Sequence, residues 1–136
     1  MQKTSRECLV IDDDQDDQEI FAMCLHAVDS SVVCRTAGDP VEAIALLGSE
    51  TSYTPDYIFI DVNMPKMNGL DCLQVLQSMG RLAYTKMFMY STSAETGVLE
   101  ESQKRGAEDY IIKPAKTREL KEKLTTIFEI VSEINK

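Results

Sequence analysis

The chain has 136 residues, of which 43% are hydrophobic and 27% are charged, and its formal net charge is −9. This length and composition predict one folded domain with a hydrophobic core. The acidic excess argues against unaided binding to nucleic acid or to an anionic membrane, because both partners require a basic surface. No apolar run approaches the roughly 20 residues of a membrane span, and the N-terminus lacks a signal-peptide core, so we expect a cytoplasmic protein.

The four cysteines are scattered along the chain and form no CxxC pair: Cys8, Cys24, Cys34 and Cys72. This spacing favours reduced cysteines that behave as small apolar residues over a disulfide framework or a zinc site.

The first half of the chain alternates short apolar runs with segments of helical periodicity. Glu7–Ile11 predicts a buried strand, and the acid-rich segment that follows predicts a helix with Asp14 as its N-cap. The acids at 16 and 17 are expected to form a solvated first turn. The apolar face of this helix consists of Ile20, Phe21, Cys24, Leu25 and Val28. His26 lies off that face, so we expect it to be solvated.

A second strand is expected at Ser31–Ala37, before a helix with strong start signals. Asp39 can cap this helix, Pro40 suits its first position, and Glu42 completes a capping-box spacing. Gly48 is expected to end it. The remaining predicted elements are a strand at Tyr57–Ile60, a helix at Leu70–Met79 ending at Gly80, a strand at Lys86–Ser91, a more polar helix at 94–106, a strand at Asp109–Ile112, and a C-terminal helix whose apolar face is Leu120, Leu124, Ile127, Phe128, Val131 and Ile134.

Five strands that alternate with five helices predict a five-stranded parallel sheet with helices on both faces. The strands are apolar without polar alternation, as expected where both faces of a sheet are covered. We see no internal repeat or linker, and the last helix runs close to the end of the sequence. We therefore expect one domain over residues 1–136, with no further domain attached.

Reactive side chains follow four of these five strands. Strand 1 ends in Asp12 and Asp13, strand 3 in Asp61, strand 4 in Ser91 and strand 5 in Lys113. Ligands of open parallel sheets bind at this carboxyl edge. Converging acids would repel one another, and a hard divalent cation such as Mg²⁺ removes the repulsion. A lysine and a hydroxyl beside the acids suit a phosphoryl group, which would make Asp61 a nucleophile that forms an aspartyl-phosphate.

Four features together carry a family resemblance. They are the acid pair Asp12–Asp13, the segment IDVNMPKMNG around Asp61, Ser91 thirty residues later, and YIIKP with Lys113 twenty-two residues after that. In this order and spacing the chain resembles, along nearly its whole length, the receiver domain of bacterial two-component response regulators. The resemblance implies the (βα)5, flavodoxin-like receiver fold.

The resemblance also implies roles for individual residues. Asp61 would accept a phosphoryl group from a histidine kinase or a phosphotransfer protein. Asp13 and Asp61 would bind Mg²⁺ directly, Asp12 through water and Asn63 through its backbone carbonyl. In the remaining roles, Lys113 pairs with the phosphate, Ser91 is the switch hydroxyl, Tyr110 changes rotamer on activation, and the peptide before Pro114 is usually cis in this family.

Each of these residues also has a plainer interpretation. The acid pair could simply begin a helix, where the dipole favours acids, and Ser91, Lys113 and Tyr110 could be ordinary surface or core residues. The turn MPKMNG opposes such an interpretation of Asp61. Pro65 restricts the backbone there, and Asn68–Gly69 tolerate positive φ before the third helix. Met64 and Met67 are expected to pack this loop.

Three functions remain open at this point. The first is a stand-alone receiver, which catalyses only its own phosphorylation and dephosphorylation and is not an enzyme with a separate substrate. It would signal to an unknown protein target through the fourth helix, fifth strand and fifth helix, around Val98 to Leu120. The second is a phosphotransferase or phosphatase with an aspartyl nucleophile, but Asn63 stands where such enzymes place a general acid–base. The third is a receiver-like scaffold that is never phosphorylated.

Overall fold

Strands and helices alternate through the part of the chain that the structure describes. The computed structural model describes residues 6–93 and 95–134, with side chains as far as residue 128. The strands are β1 (Glu7–Ile11), β2 (Val33–Ala37), β3 (Tyr57–Ile60), β4 (Lys86–Ser91) and β5 (Asp109–Ile112). The helices are α1 (Gln15–Val28), α2 (Pro40–Ser49), α3 (Gly69–Gln77), α4 (Thr96–Lys104) and α5 (Thr117–Ile134), with a short 3₁₀ turn at Gly80–Leu82. The predicted order of elements is confirmed.

The five strands form one parallel sheet in the order β2-β1-β3-β4-β5. The chain moves outward from β1 to β2 on one side, then crosses back to β3 on the other. A crevice therefore opens between β1 and β3 at their carboxyl ends, the position where ligands of open parallel sheets bind. Ile11 and Ile60 are register partners there, so the acids that follow them lie side by side.

Strand residues alternate between two hydrophobic clusters, one on each face of the sheet. Leu9 and Ile58 belong to the cluster that α2 and α3 cover, while Val10 and Phe59 belong to the cluster that α1 and α5 cover. All four side chains are buried. The continuous apolar runs thus reflect burial on both faces, as expected for a parallel sheet.

The apolar faces of α1 and α5 meet the sheet largely as predicted. The buried side chains are Phe21, Cys24, Leu25, Leu120, Leu124 and Phe128, and those of Val28 and Ile127 are partly buried. Ile20 is the exception, because 39% of its surface is exposed. Val131 and Ile134, which were also predicted to face the core, lie beyond residue 128, the last residue whose side chain the structure describes. His26 is exposed, as expected.

Side-chain hydrogen bonds cap the N-termini of α1, α2 and α3. They satisfy backbone N–H groups of the first turn that have no partner within the helix. Asp14 accepts from the N–H groups of residues 16 and 17, and Asp39 accepts from Glu42. The Glu42 carboxylate accepts from Gly38, one residue before the cap. Asn68 caps α3 by accepting from the N–H of residue 71.

Several predicted boundaries were wrong by a few residues. β2 begins at Val33 rather than Ser31, and α2 continues through Gly48 to Ser49 because nothing at that exposed position forces the helix to end. The helix α3 ends at Gln77, ahead of the 3₁₀ turn. The Lys113–Pro114 peptide bond is trans, unlike the usual cis form of the family.

Two further features of the described residues concern the cysteines and the length of the helices. All four cysteines are free thiols, three of them buried and Cys34 partly so. Within residues 6–93 and 95–134, no helix combines the length and apolar character that membrane crossing needs.

Candidate functional site

Three carboxylates converge at the crevice between β1 and β3. Oxygen atoms of Asp12, Asp13 and Asp61 all lie within 4.8 Å of one another. Asp12 is fully buried and Asp61 is 6% exposed, whereas Asp13 faces solvent. Three negative charges at this separation repel one another, so the arrangement is stable only with cations nearby.

The sheet itself holds two of these acids in place. The Asp12 N–H donates to the Ala37 carbonyl at 3.1 Å, and the Asp61 N–H donates to the Ile11 carbonyl at 3.0 Å. The ladder thus continues one residue beyond β1 and β3, which makes the backbone under the acids as rigid as the sheet. The Asp12 carboxylate is further oriented because its Oδ1 accepts from the Asp14 N–H at 2.9 Å.

Lys113 supplies the positive charge of the site. Its Nζ lies 2.8 Å from Asp12 Oδ2, 2.8 Å from Asp17 Oδ2 and 3.6 Å from Asp61 Oδ2. Burial alone would lower the pKa of Lys113, but the hydrogen bonds to Asp12 and Asp17 outweigh it and raise that pKa. The ammonium group is therefore charged at neutral pH. The ring of Tyr90 lies 5.3 Å from Nζ and adds a cation–π contact.

Asp61 has an unusual titration for an aspartate. Burial raises its pKa to about 6, nearby Lys113 lowers it, and Asp12 raises it again. A single lysine does not fully compensate the buried acids. A second cation at this position would favour the charged form of Asp61.

Asp17 is the residue of the site that sequence reasoning missed. We expected it to be solvated on the first turn of α1, but it is only partly exposed and its carboxylate contacts Lys113. Its neighbour Asp16 is exposed, as expected. Helical spacing could have found it, because Asp17 lies four and seven residues before Phe21 and Cys24 and therefore shares the buried face of α1.

The turn after β3 has a different construction from the one predicted. The positive φ falls on Lys66, at 72°, while Asn68 is the extended N-cap of α3. Gly69 is required by close approach instead, because a Cβ there would lie 2.1 Å from the Asp61 carbonyl oxygen. Its N–H donates to the Val62 carbonyl at 2.8 Å. Gly69 therefore lets α3 start directly against the backbone of Asp61.

Asn63, Met64 and Met67 of this turn have defined contacts. The Asn63 N–H donates to Asp61 Oδ1 at 3.4 Å, and its side chain is exposed. Met64 is buried in the α2–α3 cluster and Met67 packs against it, so both pack the loop as predicted.

Ser91 on β4 and Tyr110 on β5 are the last two of the predicted site residues. Ser91 ends β4 fully buried, and its hydroxyl has no hydrogen-bond partner among the described residues. The Tyr110 hydroxyl is close to Ser91, but it donates to the Ser93 carbonyl at 2.6 Å. The Lys113 N–H donates to the Ser91 carbonyl at 2.7 Å, which joins β4 to the site lysine. A buried hydroxyl without a partner is available to an incoming acceptor.

A parallel (βα)5 sheet with an acid cluster and a lysine at its carboxyl edge defines a class of phosphate-handling signalling proteins. The sequence model of the response regulator receiver domain family matches residues 8–125. The chain is 32% identical over 96 residues to the chemotaxis protein CheY of Pseudomonas aeruginosa, covering 71% of this chain and 75% of that protein. It is 31% identical over 113 residues to the Regulator of RpoS of Escherichia coli K12, covering 82% of this chain.

A solved structure shows the same fold. The phosphorylated cyanobacterial phytochrome response regulator RcpA superimposes with a TM-score of 0.83 and 25% identity, covering 93% of each chain.

The chain spans only 31% of the length of the Regulator of RpoS. The chain belongs to the response regulator receiver domain family. It is a phospho-accepting switch of two-component signalling, and receiver domains of this kind interact with histidine kinases and with downstream targets.

Proposed function

We propose that Asp61 is the phosphoacceptor of this receiver and that its phosphorylation depends on Mg²⁺. The observation that carries the proposal is the placement of the Asp61 carboxylate between two other acids and Lys113, with Nζ 3.6 Å away. A carboxylate in that position can attack a phosphorus atom while the lysine and a metal ion neutralise the phosphoryl oxygens.

The donor set fits Mg²⁺. All candidate ligands are oxygen atoms, which this ion prefers, and it commonly keeps several waters beside one or two carboxylates. Both Asp12 oxygens already have partners, the Asp14 N–H and Lys113. Asp13 is exposed. We therefore assign direct ligation to Asp13 and Asp61, a water-mediated role to Asp12, and the backbone carbonyl of Asn63 as a further ligand. When bound, the ion would offset the negative charge on the phosphoryl oxygens.

The residues of the chain divide the chemistry between them. An Asp61 oxygen forms the new P–O bond as the bond from phosphorus to the donor histidine nitrogen breaks. Lys113, already charged and within reach of Asp61, pairs with a phosphoryl oxygen of the product. The free hydroxyl of Ser91 donates to another phosphoryl oxygen. Asn63 has no acid–base capacity, so the phosphoryl group stays on Asp61 rather than passing to a separate substrate.

Signal output follows from the same contacts. As Ser91 moves toward the phosphoryl group, the packing near Tyr110 changes, and the ring can leave its bond to Ser93. We propose that the surface of α4, β5 and α5 then binds a downstream protein. This is a two-state element biased by a local charge change.

Intact mass spectrometry after treatment with an acyl phosphate and Mg²⁺ tests the assignment. The native protein should gain one phosphate, and Asp61→Asn should gain none while it remains folded. Asp16→Asn removes an exposed acid of the same neighbourhood and should label normally. Full labelling of Asp61→Asn would refute the acceptor assignment. Continuous release of phosphate over many turnovers would indicate a phosphatase, and no labelling of the native protein would indicate a scaffold. Phosphotransfer profiling against purified histidine kinases would then identify the donor.

A further inference from the structure

Two cysteines lie side by side on neighbouring strands at one edge of the sheet, away from the proposed phosphorylation site. Cys8 on β1 and Cys34 on β2 are register partners. Both side chains belong to the α1–α5 side of the sheet, since Cys8 lies in that hydrophobic cluster and Cys34 packs against it. Each thiol perturbs the pKa of the other, and the Cys34 thiol also donates to the Arg35 carbonyl at 3.9 Å. The sequence favoured reduced cysteines that behave as small apolar residues, and their spacing did not reveal this pair.

The spacing of this pair suits a disulfide. Neighbouring strands lie about 4.7–4.9 Å apart, and the Cα atoms of disulfides are usually about 4.4–6.8 Å apart. Among residues 6–93 and 95–134, the strand β2 lies at the edge of the sheet and pairs with β1 alone. It can therefore adjust toward β1 without breaking a second ladder.

The two thiols differ in access and reactivity. Cys8 is fully buried, whereas Cys34 is partly exposed. The neighbouring Cys8 thiol lowers the pKa of Cys34, and burial raises the pKa of Cys8. A thiolate is the nucleophile toward oxidants, so Cys34 is the thiol that an oxidant meets first and Cys8 is the second thiol beside it.

We propose that Cys8 and Cys34 form a reversible oxidation site at which a hydroperoxide closes a disulfide between β1 and β2. In the first step the Cys34 sulfur attacks the peroxide, the O–O bond breaks, and the cysteine becomes a sulfenic acid with release of water or an alcohol. In the second step the Cys8 sulfur attacks the Cys34 sulfur, the S–OH bond breaks, and a second water leaves. The peroxide is reduced by two electrons and the two thiols lose them.

The other two cysteines do not compete for this reaction. Cys24 lies on α1, fully buried, and its thiol donates to the Thr117 carbonyl. Cys72 is buried in the cluster on the opposite face of the sheet. The pair also lies near the amino end of β1, whereas the acids follow its carboxyl end. The inference is therefore independent of the phosphoacceptor assignment.

Thiol counting tests the proposal on the full chain. The reduced protein is treated with hydrogen peroxide, denatured, and alkylated with a maleimide. Of the four cysteines, two should remain alkylatable after oxidation, with a mass loss of two hydrogen atoms, and a dithiol reductant should restore all four. A protease that cleaves before aspartate separates residues 1–11, 17–28 and 29–38. The crosslink should join the first and third of these peptides.

Three variants sharpen the result. Cys8→Ser should leave a sulfenic acid on Cys34 that a 1,3-dione traps, and Cys34→Ser should leave Cys8 alkylatable. Cys72→Ala keeps the pair and should form the disulfide as the native protein does. Circular dichroism confirms that each variant is folded. The proposal is overturned if all four thiols survive oxidation, if the link joins other cysteines, or if Cys34 is oxidised further to a sulfinic acid without a crosslink.

Discussion

Lys113 Nζ is as close to Asp17 Oδ2 as it is to Asp12 Oδ2, 2.8 Å in each case, and only 3.6 Å from Asp61 Oδ2. The lysine therefore lies nearer to these two acids than to Asp61, the proposed phosphoacceptor. An acid on the first turn of α1 thus competes for the cation that a phosphoryl group on Asp61 would need.

Asp17→Asn should therefore tighten binding of beryllofluoride, a mimic of the phosphoryl group, in the presence of Mg²⁺. The Asp17 carboxylate is about one-third exposed, and a pair of that kind contributes up to about 1 kcal/mol, which corresponds to about fivefold in affinity. Calorimetric titration measures the change. Asp16→Asn is the matched control, because that acid is exposed on the same turn. Unchanged or weaker binding in Asp17→Asn would show that Lys113 keeps Asp17 as a partner after activation.

The buried charge of Asp61 should make the metal-free protein less stable above pH 6. The pKa of Asp61 is raised from 3.8 to about 6 on folding, mainly by burial. Ionising Asp61 is thus harder in the folded state, at a cost of about 2–3 kcal/mol that is fully present above pH 6 and absent below pH 4. Asp61→Asn removes this cost. Its advantage in free energy of unfolding should be largest at pH 7–8 and should disappear as the pH falls from 6 to 4.

Urea denaturation across this pH range, in the presence of a chelator, measures the difference. Saturating Mg²⁺ is the internal control, because the ion should stabilise the native protein more than the variant and so reduce or reverse the difference. An advantage of Asp61→Asn that does not vary with pH would contradict the assigned titration.

Gly69→Ala should damage both stability and phosphorylation. A Cβ at Gly69 would lie 2.1 Å from the Asp61 carbonyl oxygen and 2.7 Å from the Val62 Cα, so α3 or the end of β3 must shift. We expect a loss of about 1–3 kcal/mol in free energy of unfolding and slower labelling by an acyl phosphate. Gly48→Ala, at a helical position with no atom within 4 Å of the added Cβ, should be neutral or slightly stabilising. Equal behaviour of the two variants would mean that the close approach at Gly69 is not required.

Ser91→Ala should separate stability from switching. The buried Ser91 hydroxyl has no hydrogen-bond partner among the described residues, so its removal breaks no bond seen there. The free energy of unfolding should therefore change by less than about 1 kcal/mol. NMR spectra with and without beryllofluoride should show shifts that reach Tyr110 and α4 in the native protein but stay near Asp61 in the variant. Ser102→Ala removes another fully buried serine hydroxyl, one that donates to the Leu99 carbonyl, and should keep the long-range shifts. Long-range shifts of native size in Ser91→Ala would show that the relay does not pass through Ser91.

Much of this protein could be predicted from local patterns. The apolar runs at Glu7–Ile11 and Tyr57–Ile60 matched the observed strands residue for residue, because each run is buried on both faces and needs no partner to be recognised. The convergence of Asp12, Asp61 and Lys113 followed from strand ends alone, since parallel strands deliver the residues after them to one edge. Asp14 and Asp39 could be assigned as caps because an N-cap depends only on the next three residues.

Tertiary structure decided what depends on distant partners. Helical spacing places Asp17 on the buried face of α1, but its contact with Lys113 depends on how α1 packs against the end of β5. Gly69 is needed because the backbone at Asp61 approaches it, not because of its own φ, and Cys8 and Cys34 become a pair only through the register of β1 with β2. These contacts join residues far apart in sequence. Their geometry is set by packing of the whole chain, and a local pattern carries no information about it.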